Sequence, residues 1–231
     1  MEYAEWINEI FNRKPLDKFN LDWDDDWIQK RDALSSSEVL GLIAETFARA
    51  GKDLQHFSDV QVALGLNFIT NESQNALYWI YDIAALTSER LTVINNIYIL
   101  YRDCLALRCG NDPAAESTTP LDIYAYMFGD ASGLCIYRIL KSDIGDKEEL
   151  IDAILDVWEN TLTISNATCQ RGAIHALGHE TFHVRRYHPN HERRDELLRR
   201  IEEIIDRYCA LSTTDEHLSK YARQARTGMI N

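Results

Sequence analysis

The longest helical pattern of the chain covers residues 88–109 and reads SERLTVINNIYILYRDCLALRC. Its large apolar side chains recur every three or four residues, which is the period of an amphipathic α-helix. They are Leu91, Ile94, Ile97, Tyr98, Tyr101 and Leu105. Gly110 follows directly, and glycine commonly stands just after the end of a helix. One helix over 88–109 is therefore predicted.

The same period recurs along the rest of the chain, and no segment alternates convincingly as a strand would. Further helices are predicted near 3–11, 35–50, 58–69, 73–83, 120–128, 147–164, 168–186, 191–210 and 214–227. Helix starts are marked by Ser35 to Ser37 and by Thr119 with Pro120, and helix ends by Gly51 and Gly228. We predict one all-α domain over 1–231 with eight to ten helices. Its architecture is either stacked helical hairpins of the HEAT type or a globular multi-helix bundle.

Composition and charge restrict the partners. The formal net charge is −13, and the first 165 residues hold 28 acidic against 13 basic side chains. Such a field repels nucleic acid and anionic lipid and favours a basic protein partner. Five scattered cysteines without a CxxC pair, no long apolar run and an N-terminus unlike a secretory signal together predict a cytoplasmic protein.

The segment with chemical content covers residues 169–191 and reads CQRGAIHALGHETFHVRRYHPNH, with five of the seven histidines. His175, His179 and His183 are spaced i, i+4, i+8 and form one row along a helix. Within the row, His179, Glu180 and His183 match HExxH. In that motif the two imidazoles bind zinc and the glutamate accepts a proton from the metal-bound water. A zinc-dependent hydrolase is the alternative function.

Other features favour a structural role for this row. Arg186 and Pro189 stand where the extended zinc motif has glycine and histidine, so a third ligand is not marked. We expect His175 and His179 to donate ring N–H groups to carbonyls at a neighbouring helix end. Gly178, together with nearby alanines, is expected to allow close helix approach. No catalytic residue, metal or cofactor is predicted on this interpretation.

The last sixty or so residues resemble an uncharacterised group of bacterial helical proteins. The resemblance rests on Cys169-Gln170 with the stretch 173–179, AIHALGH, which is similar to the group's CQ…ALHGLGH signature, and on 221–228, YARQARTG. Ala176 stands where that signature has glycine. His175 and His179 match its histidines, whereas the position of Glu180 is not acidic in the group. The resemblance implies a helical fold and a structural HxxGH turn, and it lends no activity.

A second candidate site is the acidic and aromatic segment Asp22, Trp23, Asp24, Asp25, Asp26 and Trp27. Tryptophans beside carboxylates are typical of a surface that binds a basic protein. The alternative is a solvated loop whose tryptophans pack into the core. We therefore predict a non-enzymatic helical protein-binding module, by analogy an immunity-type inhibitor of a basic toxin.

Overall fold

The computed structural model describes residues 1–15, 25–70, 77–115, 118–211 and 213–229. Throughout these ranges the protein is all-α and has no strand, which confirms the predicted class. No helix in them combines the length and the apolar composition needed to cross a bilayer. The described ranges contain ten α-helices of eight or more residues: α1 (Tyr3–Phe11), α2 (Asp25–Asp32), α3 (Ser36–Asp53), α4 (Asp59–Thr70), α5 (Thr87–Leu100), α7 (Pro120–Ala131), α9 (Lys147–Thr161), α10 (Ala167–Tyr187), α11 (Arg194–Ala210) and α12 (Glu216–Ala225). Shorter elements are a 3₁₀ helix (Leu77–Tyr81), a π-helical turn (Tyr101–Leu105), α6 (Ala106–Arg108) and α8 (Ile136–Lys141).

Local sequence signals set several helix ends. Ser35 and Glu38 form a reciprocal capping box at the start of α3. Thr119 accepts a hydrogen bond from the main-chain N–H of Asp122, with Pro120 as the first residue of α7. Gly228 has a φ of 76°, the left-handed conformation that lets the chain turn after the last helix. These predicted boundaries are confirmed.

One predicted helix end is wrong because a tertiary contact decides it. Gly51 lies inside α3, where a Cβ atom would sit 2.4 Å from the carbonyl oxygen of Asp103, so its missing side chain serves helix packing. The predicted helix over 88–109 is confirmed, since α5, the π-helical turn and α6 follow each other without a break from Thr87 to Arg108. The segment near 73–83 forms a 3₁₀ helix over Leu77–Tyr81 in its described part.

The helices form two rows that pack against each other. In one row α1, α4, α7, α10 and α12 each contact the next. The other row holds α3, α5, α9 and α11. Its contacts run from α3 to α5 and from α5 to α9. The row then continues through ion pairs that Arg200 and Arg207 of α11 make with carboxylates of α9. Among these nine helices, those that follow each other in the sequence alternate between rows, as they do in stacked helical hairpins.

An aromatic trio joins the rows at the centre of the core. Tyr101, Phe128 and Trp158 are buried, and each pair of rings meets edge to face with centroids 6.0 Å apart. Edge-to-face pairs add about 0.5–1.5 kcal/mol beyond the area they bury. The hydroxyl of Tyr101 donates a 2.6 Å hydrogen bond to the carbonyl of Ala125 on α7. This buried phenol is therefore satisfied, and it fixes the position of α7.

The closest helix contact in this region is that of α7 with α10. A Cβ atom on Gly129 would lie 2.3 Å from Cβ of Ala176, and one on Gly172 would lie 2.4 Å from the carbonyl oxygen of Ala125. Real Cβ atoms do not approach other atoms so closely. The contact therefore requires glycine at both positions, and it brings the polar residues beside it within reach of each other.

Gly172→Ala is expected to destabilise the protein by about 1–3 kcal/mol, because the added methyl meets main chain that cannot move independently of α7. Alanine favours a helix over glycine by about 1 kcal/mol, so the loss would occur against the intrinsic preference. Urea unfolding measures it. The matched control is Gly41→Ala in α3, where nothing lies within 4 Å of the new methyl. That variant should be as stable as the wild type or more so, and equal stability of the two variants would refute the close contact.

Candidate functional site

A polar cluster lies where α7, α10 and α12 meet. Tyr126 and Asp130 stand one turn apart on α7, His175 and His179 stand one turn apart on α10, and Tyr221 comes from α12. His175 is buried, whereas the side chains of His179 and Asp130 are 23% and 35% exposed. The cluster therefore has a buried centre at His175 and reaches the solvent at His179 and Asp130.

The five side chains form one continuous chain of contacts. The hydroxyls of Tyr126 and Tyr221 are 2.9 Å apart, and the Tyr221 hydroxyl lies 2.8 Å from Nδ1 of His175. Nε2 of His175 lies 3.1 Å from Nε2 of His179. Nδ1 of His179 lies 3.3 Å from a carboxylate oxygen of Asp130. The ring of Tyr126 also packs on that of His175, with centroids 4.2 Å apart.

The direction of the protons follows from the carboxylate. An ionised carboxylate only accepts, so a neutral His179 ring carries its proton on Nδ1, the nitrogen that faces Asp130. Its Nε2 then accepts from Nε2–H of His175, and Nδ1 of His175 accepts from the hydroxyl of Tyr221. Tyr126 in turn donates to Tyr221. Every nitrogen of the two rings therefore has a partner when both rings are neutral.

Burial favours this neutral state. Desolvation lowers the pKa of His175 to about 4, with a smaller contribution from the neighbouring His179 and an opposing one from Asp130. The pKa of His179 is also lowered, first by burial, and Asp130 again opposes the shift. Burial raises the pKa of the Tyr221 hydroxyl well above its ordinary value. All three groups are therefore uncharged at neutral pH.

The residues with a predicted structural role lie at this helix junction. The ring partners of His175 and His179 are a phenol and a carboxylate, not the main-chain carbonyls that we expected, because α7 and α12 present their side chains to this part of α10. Gly178 is buried in α10, and its role in close helix approach stays a prediction. The sequence carried no motif that would connect Asp130, Tyr126 or Tyr221 to this row.

Glu180 does not occupy the position of a catalytic base. Its side chain is buried, and both carboxyl oxygens accept from the main-chain N–H of Ile136, at 3.2 and 3.1 Å. Ile136 is the first residue of α8, so this carboxyl group supplies an acceptor that the helix start needs. Burial raises the pKa of Glu180 to about 8. The structure therefore does not support the HExxH interpretation, since Glu180 is occupied elsewhere.

His183 continues the row beyond His179, and their ring centroids are 5.8 Å apart. Its ring is half-buried among Tyr137, Phe182 and Tyr187. Nδ1 of His183 is buried and has no hydrogen-bond partner among the described residues. The row thus divides into a hydrogen-bonded pair and a third ring that belongs to an aromatic cluster.

The predicted partner-binding segment falls mostly outside the described residues. Asp22, Trp23 and Asp24 lie outside them. Asp25, Asp26 and Trp27 open α2, and the structure describes their backbone only. Their role in binding stays a prediction.

An exposed apolar segment, which was not predicted from the sequence, lies over residues 78–86, and we name it the 78–86 surface. Tyr78, Ile83 and Leu86 are 52%, 76% and 62% exposed. Together with Trp79 and Tyr81, the first two of these line an open groove that also contains Asp82, Lys141 and Asp143. Isolated exposed apolar side chains are ordinary, but three within nine residues, two of which line a groove, indicate a contact surface. The aromatic run YWIY at 78–81 could have signalled it.

Comparisons with known proteins do not identify the chain. No family model, no curated protein and no solved structure matches it. The resemblance of the C-terminal residues to a bacterial helical group therefore stays a prediction, and the function has to be inferred from the geometry.

Glu180→Gln is expected to change how stability depends on pH. A carboxyl group whose pKa rises from 4.5 in the unfolded chain to about 8 in the fold stabilises the protein at low pH. That stability is lost as the pH rises from 4.5 to 8, with a slope of up to about 1.4 kcal/mol per pH unit. The side-chain amide of the glutamine still accepts from the main-chain N–H of Ile136, but it does not ionise and so does not lose stability as the pH rises. The variant should therefore gain stability relative to wild type across that range in urea unfolding.

Glu159→Gln is the matched control, because this carboxylate is solvent-accessible and pairs with Arg207. Its stability difference from wild type should vary little over the same pH range. Parallel pH curves for wild type and Glu180→Gln would show that Glu180 does not titrate as a buried acid.

Proposed function

We propose that the protein is a non-enzymatic helical module that binds a basic protein, by analogy an immunity-type inhibitor of a toxin. The observation that supports this proposal is the 78–86 surface, on which exposed aromatic and aliphatic side chains stand beside ionised carboxylates. Binding energy in protein interfaces concentrates in such apolar anchors, and the surrounding charges determine the partner and the rate of encounter.

The backbone of this surface is held rigidly. Arg90 is buried and donates to the carbonyls of Ile80 and Asp82, at 2.7 and 2.6 Å. The same guanidinium forms a buried ion pair with Asp146 at 2.7 Å, just before α9. Leu77, Ile80 and Ala85 are buried, so the segment is also anchored by apolar contacts. A rigid surface loses less entropy when a partner binds.

The charges around the surface are negative. Asp82 accepts from the hydroxyl of Ser36, and Glu89 from that of Ser37. These hydrogen bonds are the largest cause of the lowered pKa of each carboxyl group. Both therefore stay ionised at neutral pH, and Asp143 adds a third carboxyl group beside the groove. Lys141 is the one cation among the residues that line this groove. A partner with basic side chains complements this surface.

The location that we propose is the cytoplasm. All five cysteines are free, and unpaired thiols suit a reducing compartment. We do not propose a zinc hydrolase. The carboxyl group of Glu180 accepts from the main-chain N–H at the start of α8 and is therefore not placed as a base beside the two histidines.

The proposal is tested with purified products of the neighbouring genes whose isoelectric point is above about 9. Isothermal titration calorimetry should find nanomolar binding to one of them. Tyr78→Ala and Ile83→Ala should each raise its Kd by at least about tenfold, as truncation of an interface anchor does. Raising the salt concentration should slow association, because salt screens the long-range attraction between the carboxylates of this surface and the basic partner.

The matched control is Leu211→Ala, which truncates an exposed aliphatic side chain between α11 and α12 and should leave the Kd unchanged. Absence of binding to every neighbouring product would contradict the proposal. So would binding that neither Tyr78→Ala nor Ile83→Ala weakens.

A further inference from the structure

We infer that His175 and His179 bind one divalent transition-metal ion of the zinc class through their Nε2 atoms, with Asp130 and Tyr221 holding the two rings. This site differs from the HExxH site, which would use His179, His183 and Glu180. It is also independent of the 78–86 surface. One ligand atom from each of Asp130, His175 and His179 lies within 4.8 Å of the others.

The spacing of the two nitrogens fits a shared ion. Zinc binds imidazole nitrogen at about 2.0–2.1 Å in a tetrahedral arrangement. Two nitrogens on one such ion are therefore about 3.3–3.4 Å apart. The Nε2 atoms of His175 and His179 are 3.1 Å apart. A shift of a few tenths of an ångström suffices to admit the ion.

The outer partners of the rings are those that metal-bound imidazoles require. A metal-binding imidazole usually donates its other N–H to a carboxylate or another acceptor, which orients the ring. Nδ1 of His179 faces Asp130, and Nδ1 of His175 faces the oxygen of Tyr221. These contacts leave the two Nε2 atoms, 3.1 Å apart, available to one ion.

The phenol chain can accommodate the ion without losing a hydrogen bond. In the free protein, Tyr221 donates to Nδ1 of His175. When Nε2 of His175 binds the ion, the proton of that ring moves to Nδ1 and is donated to the oxygen of Tyr221. The hydroxyl of Tyr221 then donates to that of Tyr126, a residue that lines an open groove. The number of protons on these groups is unchanged.

The ion has a route to the site and room for further ligands. The side chains of His179 and Asp130 are partly exposed, so the pair is reached from solvent. Water completes the coordination on that side. His183 lies one turn further along α10, away from His175, and is not part of the pair.

The test is calorimetric titration of the full chain with Zn²⁺, after chelation and in a buffer that does not bind the metal. One ion should bind per chain. His175→Ala and His179→Ala should each abolish this binding, and Tyr221→Phe and Asp130→Asn should weaken it by about ten- to a hundredfold. His183→Ala is the matched control on the same helix row and should bind as wild type does. Circular dichroism checks the fold of each variant.

X-ray absorption at the zinc edge of the wild-type protein gives a readout that needs no variant. Two imidazoles in the coordination shell are expected. Absence of zinc binding by wild type, retention of binding by the His175→Ala, His179→Ala double variant, or a shell without two imidazoles would each overturn the inference.

Discussion

The contact of α7 with α10 is the constraint on which the functional geometry depends. Gly129 meets the Cβ of Ala176, and Gly172 meets the carbonyl of Ala125, so nothing larger than one methyl group separates the two helices at these points. Asp130 follows Gly129 and His175 precedes Ala176, so this approach brings them to the same junction. A larger residue at either glycine would push the helices apart and open the chain of contacts from Tyr126 to Asp130.

Buried polar groups recur at the points where helices begin or meet. Glu180 accepts a hydrogen bond from the first main-chain N–H of α8. Arg90 joins the 3₁₀ helix to the residue before α9, and His175 joins α10 to α12. Each of these groups has lost water and has gained defined partners, as burial requires. Their contacts specify which helix ends adjoin, whereas the apolar core by itself would tolerate small shifts between the helices.

Much of the fold could be predicted from the sequence because its signals are local. The 3.6-residue period identified the helices, and Ser35 and Thr119 marked helix starts by bonding main chain three residues away. Gly51 was misinterpreted because its reason is the approach of Asp103, more than fifty residues on. The candidate site was partly visible as a histidine row. The partners of these histidines could not be predicted, because Asp130 and Tyr221 come from other helices. The contact of Glu180 with Ile136 could not be predicted either, because only the tertiary structure brings these two residues together.

The most direct test of this account is ¹⁵N-imidazole NMR of the metal-free protein at pH 7, which reports the protonation of each ring nitrogen. Two neutral rings are expected, with the proton of His179 on Nδ1 and that of His175 on Nε2. A cationic ring at either position, or a His179 protonated on Nε2, would show that the chain of contacts across α7, α10 and α12 does not form as described.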